Sequence, residues 1–72
     1  MRNNPLKQYE WETDSAIFVL KVFAKPGPTP LYYYEVWKNG QLIEDGRGEN
    51  GEGPDDIFER IKGMSANGDW SL

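Results

Sequence analysis

Apolar and polar residues alternate along residues 8–13 with the period of two that a half-buried β-strand requires. After the turn formers Asp14 and Ser15, residues 16–25 are rich in β-branched and aromatic side chains, which favour a second strand. Residues 26–30 (PGPTP) contain three prolines, which cannot donate backbone hydrogen bonds to a sheet. The chain is therefore predicted to leave the sheet at this point.

The pattern of apolar and polar residues next predicts a second hairpin and a helix. Residues 31–37 and 41–45 predict a third and a fourth strand, joined by Asn39-Gly40, a dipeptide typical of the two-residue type I′ turn. Beyond a glycine-rich loop, Pro54 suits the first position of a helix. The pattern predicts a helix over about residues 54–62, with Gly63 as its C-terminal cap.

The two turns also predict which residues share a face of the sheet. An Asp14-Ser15 turn places Trp11 opposite Phe18, and the Asn39-Gly40 turn predicts three further pairs: Trp37 with Leu42, Val36 with Ile43, and Glu35 with Glu44. The two hairpins are assumed to join so that one side carries the least charge. One face then collects Tyr9, Trp11, Phe18, Leu20, Val22, Tyr32, Tyr34, Val36 and Ile43, and the helix covers it with Ile57, Phe58 and Ile61. The other, mixed face collects Glu10, Glu12, Ile17, Val19, Lys21, Phe23, Tyr33, Glu35, Trp37, Leu42 and Glu44.

These elements predict an α+β fold, in which a four-stranded, mostly antiparallel sheet of two hairpins carries one C-terminal helix on one face. A chain of 72 residues is a single small domain. We expect an ordered core over about residues 8–63, with a loose N-terminal arm and a loose C-terminal tail, unless Trp70 docks on the body.

The amino-acid composition of the chain limits the chemistry that its side chains can perform. The chain has no cysteine and no histidine, so it lacks thiolate and imidazole ligands and the usual general base near neutral pH. We therefore predict no enzyme activity, no bound metal and no cofactor. The net charge of −4 disfavours nucleic acid and anionic membranes as ligands, because phosphates are held by lysine and arginine. The N-terminus has no apolar signal region, which predicts a cytoplasmic protein.

Gly46, Gly48 and Gly51 spell G-x-G-x-x-G, the pattern of a loop that holds a dinucleotide pyrophosphate. Only ten residues follow the predicted helix, too few for the second parallel strand of such a site. The surrounding acids would also repel a pyrophosphate. Arg47 occupies the third position of an EF-hand pattern begun at Asp45, which leaves only an irregular calcium site as an alternative to a solvated turn.

The mixed face supports a functional hypothesis. Aromatic side chains beside carboxylates are typical of protein-binding surfaces, and residues 44–59 contain seven acids and one base. The predicted partner-binding residues are Tyr33, Glu35, Trp37, Leu42, Glu44, Glu49, Glu52, Asp55 and Asp56. We expect a small, acidic, non-enzymatic module for a protein with a basic surface. Small acidic inhibitors of nucleic-acid-processing proteins, such as those of phages, have this general character. The alternatives are that this face closes a homodimer, or that Trp70 or the N-terminal arm covers it.

Overall fold

A computed structural model describes residues 4–25, 31–49 and 51–66. Four strands and one helix follow in the order β1 (Lys7–Glu12), β2 (Ile17–Lys25), β3 (Leu31–Lys38), β4 (Gln41–Arg47) and α1 (Pro54–Ala66). The strands form one antiparallel sheet in the order β1-β2-β3-β4, so the predicted α+β fold is confirmed. The connection predicted at residues 26–30, the start of the N-terminal arm and the tail with Trp70 lie outside the described residues.

Both hairpins have the predicted turns. In the first, Thr13 N donates to Ala16 O at 2.9 Å, and Trp11 lies opposite Phe18. In the second, Asn39 and Gly40 have φ values of 50° and 81°, the positive values that a type I′ turn needs at both positions. Asn39 also joins the two hairpins, because its N donates to Ile17 O at 2.8 Å and its Oδ1 accepts from Ile17 N at 3.0 Å.

The pairing of β3 with β4 differs from the prediction at a β-bulge between Val36 and Trp37. Trp37 pairs with Leu42 as predicted. Beyond that point the register shifts by one residue, so that Val36 pairs with Glu44 and Glu35 with Asp45. The predicted pairs of Val36 with Ile43 and of Glu35 with Glu44 are therefore wrong, although Ile43 still packs against the core.

Side-chain volume explains the bulge. The shifted register places Gly46 opposite Tyr34 on the helix-covered face, where an added Cβ would lie 2.7 Å from the Tyr34 hydroxyl oxygen. A Cβ on Gly48 would lie 2.9 Å from Ile57 Cδ1. Without the extra residue, Asp45 and Arg47 would alternate onto this crowded apolar face. The bulge thus turns two charged side chains outward and presents two glycines to the core.

The helix-covered face forms the core. The side chains of Leu20, Val22, Val36, Ile57 and Ile61 are 0% exposed, and burying each contributes about 1.5–3 kcal/mol before the entropy of ordering it is subtracted. At the edge of this core, the ring of Phe58 stacks on Tyr9 with centroids 4.4 Å apart. The predicted covering of this face by Ile57, Phe58 and Ile61 is confirmed.

Helix α1 begins as predicted and ends later. Gly53 precedes the helix, and its N donates to Asp56 Oδ2 at 3.0 Å, a capping arrangement in which a side chain of the first turn reaches back. The prediction that Gly63 ends the helix is wrong, because α1 continues to Ala66. The last turn is held against β1, where Trp11 Nε1 donates to Ser65 Oγ at 2.9 Å.

Candidate protein-interaction face

The sheet face opposite α1, the outer face, carries the mixed set of residues. By strand register its members are Gln8, Glu10, Glu12, Ile17, Val19, Lys21, Phe23, Lys25, Leu31, Tyr33, Glu35, Trp37, Leu42, Asp45 and Arg47. Ile17 and Leu42 are 52% and 43% exposed. Large apolar side chains therefore reach solvent on this face beside charged ones.

Trp37 lies in a network of its neighbours on β2 and β3. Its Nε1 donates to Glu35 Oε1 at 3.1 Å, and Lys21 Nζ lies 4.8 Å from the centroid of its ring. In register, Lys21 stands opposite Glu35. The hydrogen bond fixes the direction of the indole N–H, and the lysine ammonium makes a cation–π contact with the ring.

A second aromatic group extends the apolar surface. The rings of Phe23 and Tyr33 stack across β2 and β3 with centroids 5.0 Å apart and an angle of 11° between their planes. Phe23 is 9% exposed, while Tyr33 is half-buried. Stacked rings of this kind are rigid contact surfaces, since few rotamers remain to be ordered when a partner binds.

The outer face carries charges of both signs, with one more carboxylate than cations. Glu35 lies directly opposite Asp45, so the predicted like-charge pair exists with Asp45 in place of Glu44. By strand register, four carboxylates and three cations lie on this face, which gives a net charge of −1: Glu10, Glu12, Glu35 and Asp45 against Lys21, Lys25 and Arg47.

The acids of the loop between β4 and α1 have a different role from those of the outer face. Glu52 accepts hydrogen bonds from Arg60 Nε at 2.9 Å and Nη2 at 2.8 Å, and its Oε1 accepts from Glu49 N at 2.9 Å. The Glu52 side chain is only 12% exposed. Its bond from Arg60 lowers the pKa of Glu52 and raises the pKa of Arg60. This pair ties the loop to α1.

Asp55 is also bound within the protein. It accepts hydrogen bonds from the Tyr9 hydroxyl and from Lys7 Nζ, the latter at 2.9 Å. The bond from Tyr9, followed by that from Lys7, lowers the pKa of Asp55, while burial is the main cause that raises the pKa of Tyr9. Asp55 thus pins the start of α1 to β1.

The nine predicted partner-binding residues therefore do not form one surface. The outer face brings together Tyr33, Glu35, Trp37 and Leu42. Glu44 lies opposite Val36, and Glu49, Glu52, Asp55 and Asp56 lie in the loop and the first turn of α1, with the last three bound internally. Lys21 was predicted to lie on the mixed face but not among the partner-binding residues, and Asp45 was absent from the predicted face because alternation does not include the bulge.

Within residues 4–25, 31–49 and 51–66, no cluster of three or more potential metal ligands occurs. The same part of the chain has no helix that is long and apolar enough to cross a membrane.

Gly51 has a φ of 83°, which fits the predicted turn. A depression of about 290 Å³, lined by Glu10, Trp11, Glu12 and Ile17, is open to solvent.

Comparisons of the chain with models of protein families, with curated proteins and with solved structures found no match. The function is therefore inferred from the chemistry of the two faces of the sheet.

Proposed function

We propose that the protein is a small non-enzymatic module that binds a partner protein through its outer face. The observation that supports this proposal is that exposed Ile17 and Leu42 lie beside half-buried Trp37 and Tyr33 on the sheet face opposite α1. Aromatic side chains held in fixed positions are the usual anchors of protein interfaces. An apolar patch with a polar rim marks an interaction surface more often than an inert one.

The charge of the outer face indicates the kind of partner. Carboxylates such as Glu35 and Asp45 repel a phosphate backbone and attract lysine and arginine side chains. We therefore infer a partner with a basic surface, in which the aromatic side chains provide affinity and the carboxylates provide orientation and a faster approach. In the narrower form of the proposal, the partner processes nucleic acids and the module inhibits it by occupying its basic surface.

The size of the outer face bears on the homodimer alternative. Strands of about seven residues at 3.3 Å, side by side at about 4.8 Å, span roughly 400 Å² of flat area for four strands. The accessible surface of side chains is larger than this flat area, so two such faces approach the roughly 1,200 Å² of a standard stable interface. The size of the face is therefore compatible with a homodimer as well as with a different protein, and the oligomeric state has to be measured.

Affinity capture with mass spectrometry tests the proposal. We expect the wild type to retain a basic protein whose capture weakens at high salt. The double variant Trp37→Ala, Tyr33→Ala should lose that protein, whereas Glu59→Ala, which removes an exposed carboxylate from α1, should keep it. Circular dichroism confirms that each variant is folded.

Two results would contradict the proposal. Capture that survives the double variant, or that Glu59→Ala abolishes equally, would place binding away from the outer face. Light scattering on the purified wild type should show a monomer. A dimer that the double variant dissociates would replace the proposal with the homodimer alternative.

A further inference from the structure

We propose that Trp37 and Glu35 form a receptor site for an arginine side chain of the partner, and that Lys21 occupies this site in the free protein. The inference rests on the proposed function, since it names the group on the basic partner that the outer face recognises. The observation behind it is the cation already present at the site, the Lys21 ammonium 4.8 Å from the centroid of the Trp37 ring.

Lys21 contacts the ring instead of a carboxylate. It stands opposite Glu35 in the sheet, yet the ion pairs found among the described residues are those of Lys7 with Asp55 and of Arg60 with Glu52. The indole of Trp37 thus attracts a cation in the free protein. The same quadrupole is available to a cation supplied from outside.

The carboxylates beside Trp37 can bind more than they do. Among the described residues, Glu35 accepts one side-chain hydrogen bond, from Trp37 Nε1, and an ionised carboxylate has about four lone-pair sites. Asp45 lies directly opposite Glu35, and like charges at such a cross-strand position destabilise a sheet. A cation placed between the two carboxylates and the ring relieves this repulsion.

A guanidinium group fits these features better than an ammonium group. It is planar, so it can stack on the indole while its edge donates two parallel hydrogen bonds to a carboxylate. The ammonium of Lys21 is a compact point charge that cannot make both contacts in this way. An incoming arginine therefore replaces the cation–π contact of Lys21 and adds the bond to Glu35 that Lys21 does not make.

The test uses two short fluorescein-labelled peptides of equal length and charge, one alternating arginine with glycine and the other lysine with glycine. Their affinities are measured by fluorescence anisotropy at low salt for the wild type, Lys21→Met and Lys62→Met. Lys62 is the matched control, because its Nζ also lies over an aromatic ring, 5.4 Å from the centroid of Phe58 on α1. Both substitutions remove one positive charge.

We expect the wild type to bind the arginine peptide more tightly than the lysine peptide. Lys21→Met should raise affinity for the arginine peptide by about 2- to 5-fold more than Lys62→Met does, since an exposed cation–π contact is worth about 0.5–1 kcal/mol. In nitrogen–proton NMR spectra, the arginine peptide should shift the indole signal of Trp37 more than that of Trp11. The Trp37→Leu variant, checked for folding by circular dichroism, should lose the preference for arginine.

Equal affinity for the two peptides, or equal effects of Lys21→Met and Lys62→Met, would overturn the inference. If the wild type still captures a basic partner through the outer face in that case, the proposed function stands without the arginine site. Failure of the proposed function gives a different result: in affinity capture the wild type then retains no basic protein, whichever of the two peptides it binds more tightly.

Discussion

The substitution Gly46→Ala tests why a glycine-rich segment follows β4. The added methyl carbon would lie 2.7 Å from the Tyr34 hydroxyl oxygen and 2.8 Å from its Cζ, well inside the roughly 3.5 Å at which carbon atoms pack. Tyr34 is only 7% exposed, and the guanidinium carbon of Arg60 lies 5.7 Å from the centroid of its ring. The ring therefore has little room to move away from the methyl group.

The expected cost follows from this crowding. Adding a methyl group to a filled space destabilises proteins by about 1–3 kcal/mol, and β4 is an edge strand that can move outward slightly. We expect a loss of about 1–2 kcal/mol in the free energy of unfolding, measured by urea titration. For a chain of this size, the melting temperature falls by roughly 5–15 °C.

A double-mutant cycle with Tyr34→Ala separates this clash from other effects of the substitution. Removing the ring creates space, so Gly46→Ala should cost about 1 kcal/mol less in the Tyr34→Ala background than in the wild type. An equal cost in both backgrounds, or no cost in the wild type, would refute the explanation that Gly46 is present to accommodate Tyr34.

Three further substitutions test the helix and its ion pairs. Gly63→Ala should raise the free energy of unfolding by about 0.8–1 kcal/mol, because Gly63 lies inside α1 and an added Cβ would have no atom within 4 Å. A loss of stability in urea titration would instead support a role as the cap. The pKa of Glu52 in the folded protein is below its ordinary value of 4.5, so the free energy of unfolding of the wild type should decline as pH falls from 4.5 through the folded pKa. The Glu52→Gln variant should lose less over the same pH range. Parallel plots of stability against pH for the two proteins would contradict the role of the bond to Arg60. Tyr9→Phe should raise the pKa of Asp55 toward normal in a carbon NMR titration, and an unchanged pKa would exclude the Tyr9 hydroxyl as its main cause.

Local rules predicted the strands and the faces of the sheet up to the bulge. The Asn39-Gly40 turn determines the register of the second hairpin, and alternation then places Tyr34 and Val36 on one face. The low charge of that face assigned it to the core. Because the helix repeats its apolar residues at Ile57 and Ile61, its buried side could also be predicted.

Longer-range packing decided what the local rules missed. Simple alternation pairs each residue of one strand with one residue of its neighbour, so it could not predict the bulge. The sequence feature that could have indicated the bulge is the alternation of Asp45 and Arg47 with Gly46 and Gly48. Gly63 is a residue type that often ends a helix, but α1 continues past it. The last turn is in contact with Trp11, which is distant in sequence, so local rules could not predict this extension.

The candidate site was predictable only in part for a similar reason. Alternation gathered Tyr33, Glu35 and Trp37 on one face, where the structure has them. The internal use of Glu52 depends on how the loop returns toward Arg60, eight residues later, and composition alone cannot distinguish a solvated acid from one that is already paired.

The order of the elements has a consequence for synthesis on the ribosome. Each strand of the sheet pairs with its neighbour in sequence, so both hairpins can close soon after they emerge, with short loops and a small entropic cost. The contact of Phe58 with Tyr9 joins the helix to the first strand and forms only after α1 has been made. Until then the apolar face that becomes the core is exposed on the growing chain. During this interval chaperones can bind that face, and its strands can pair with the wrong partners.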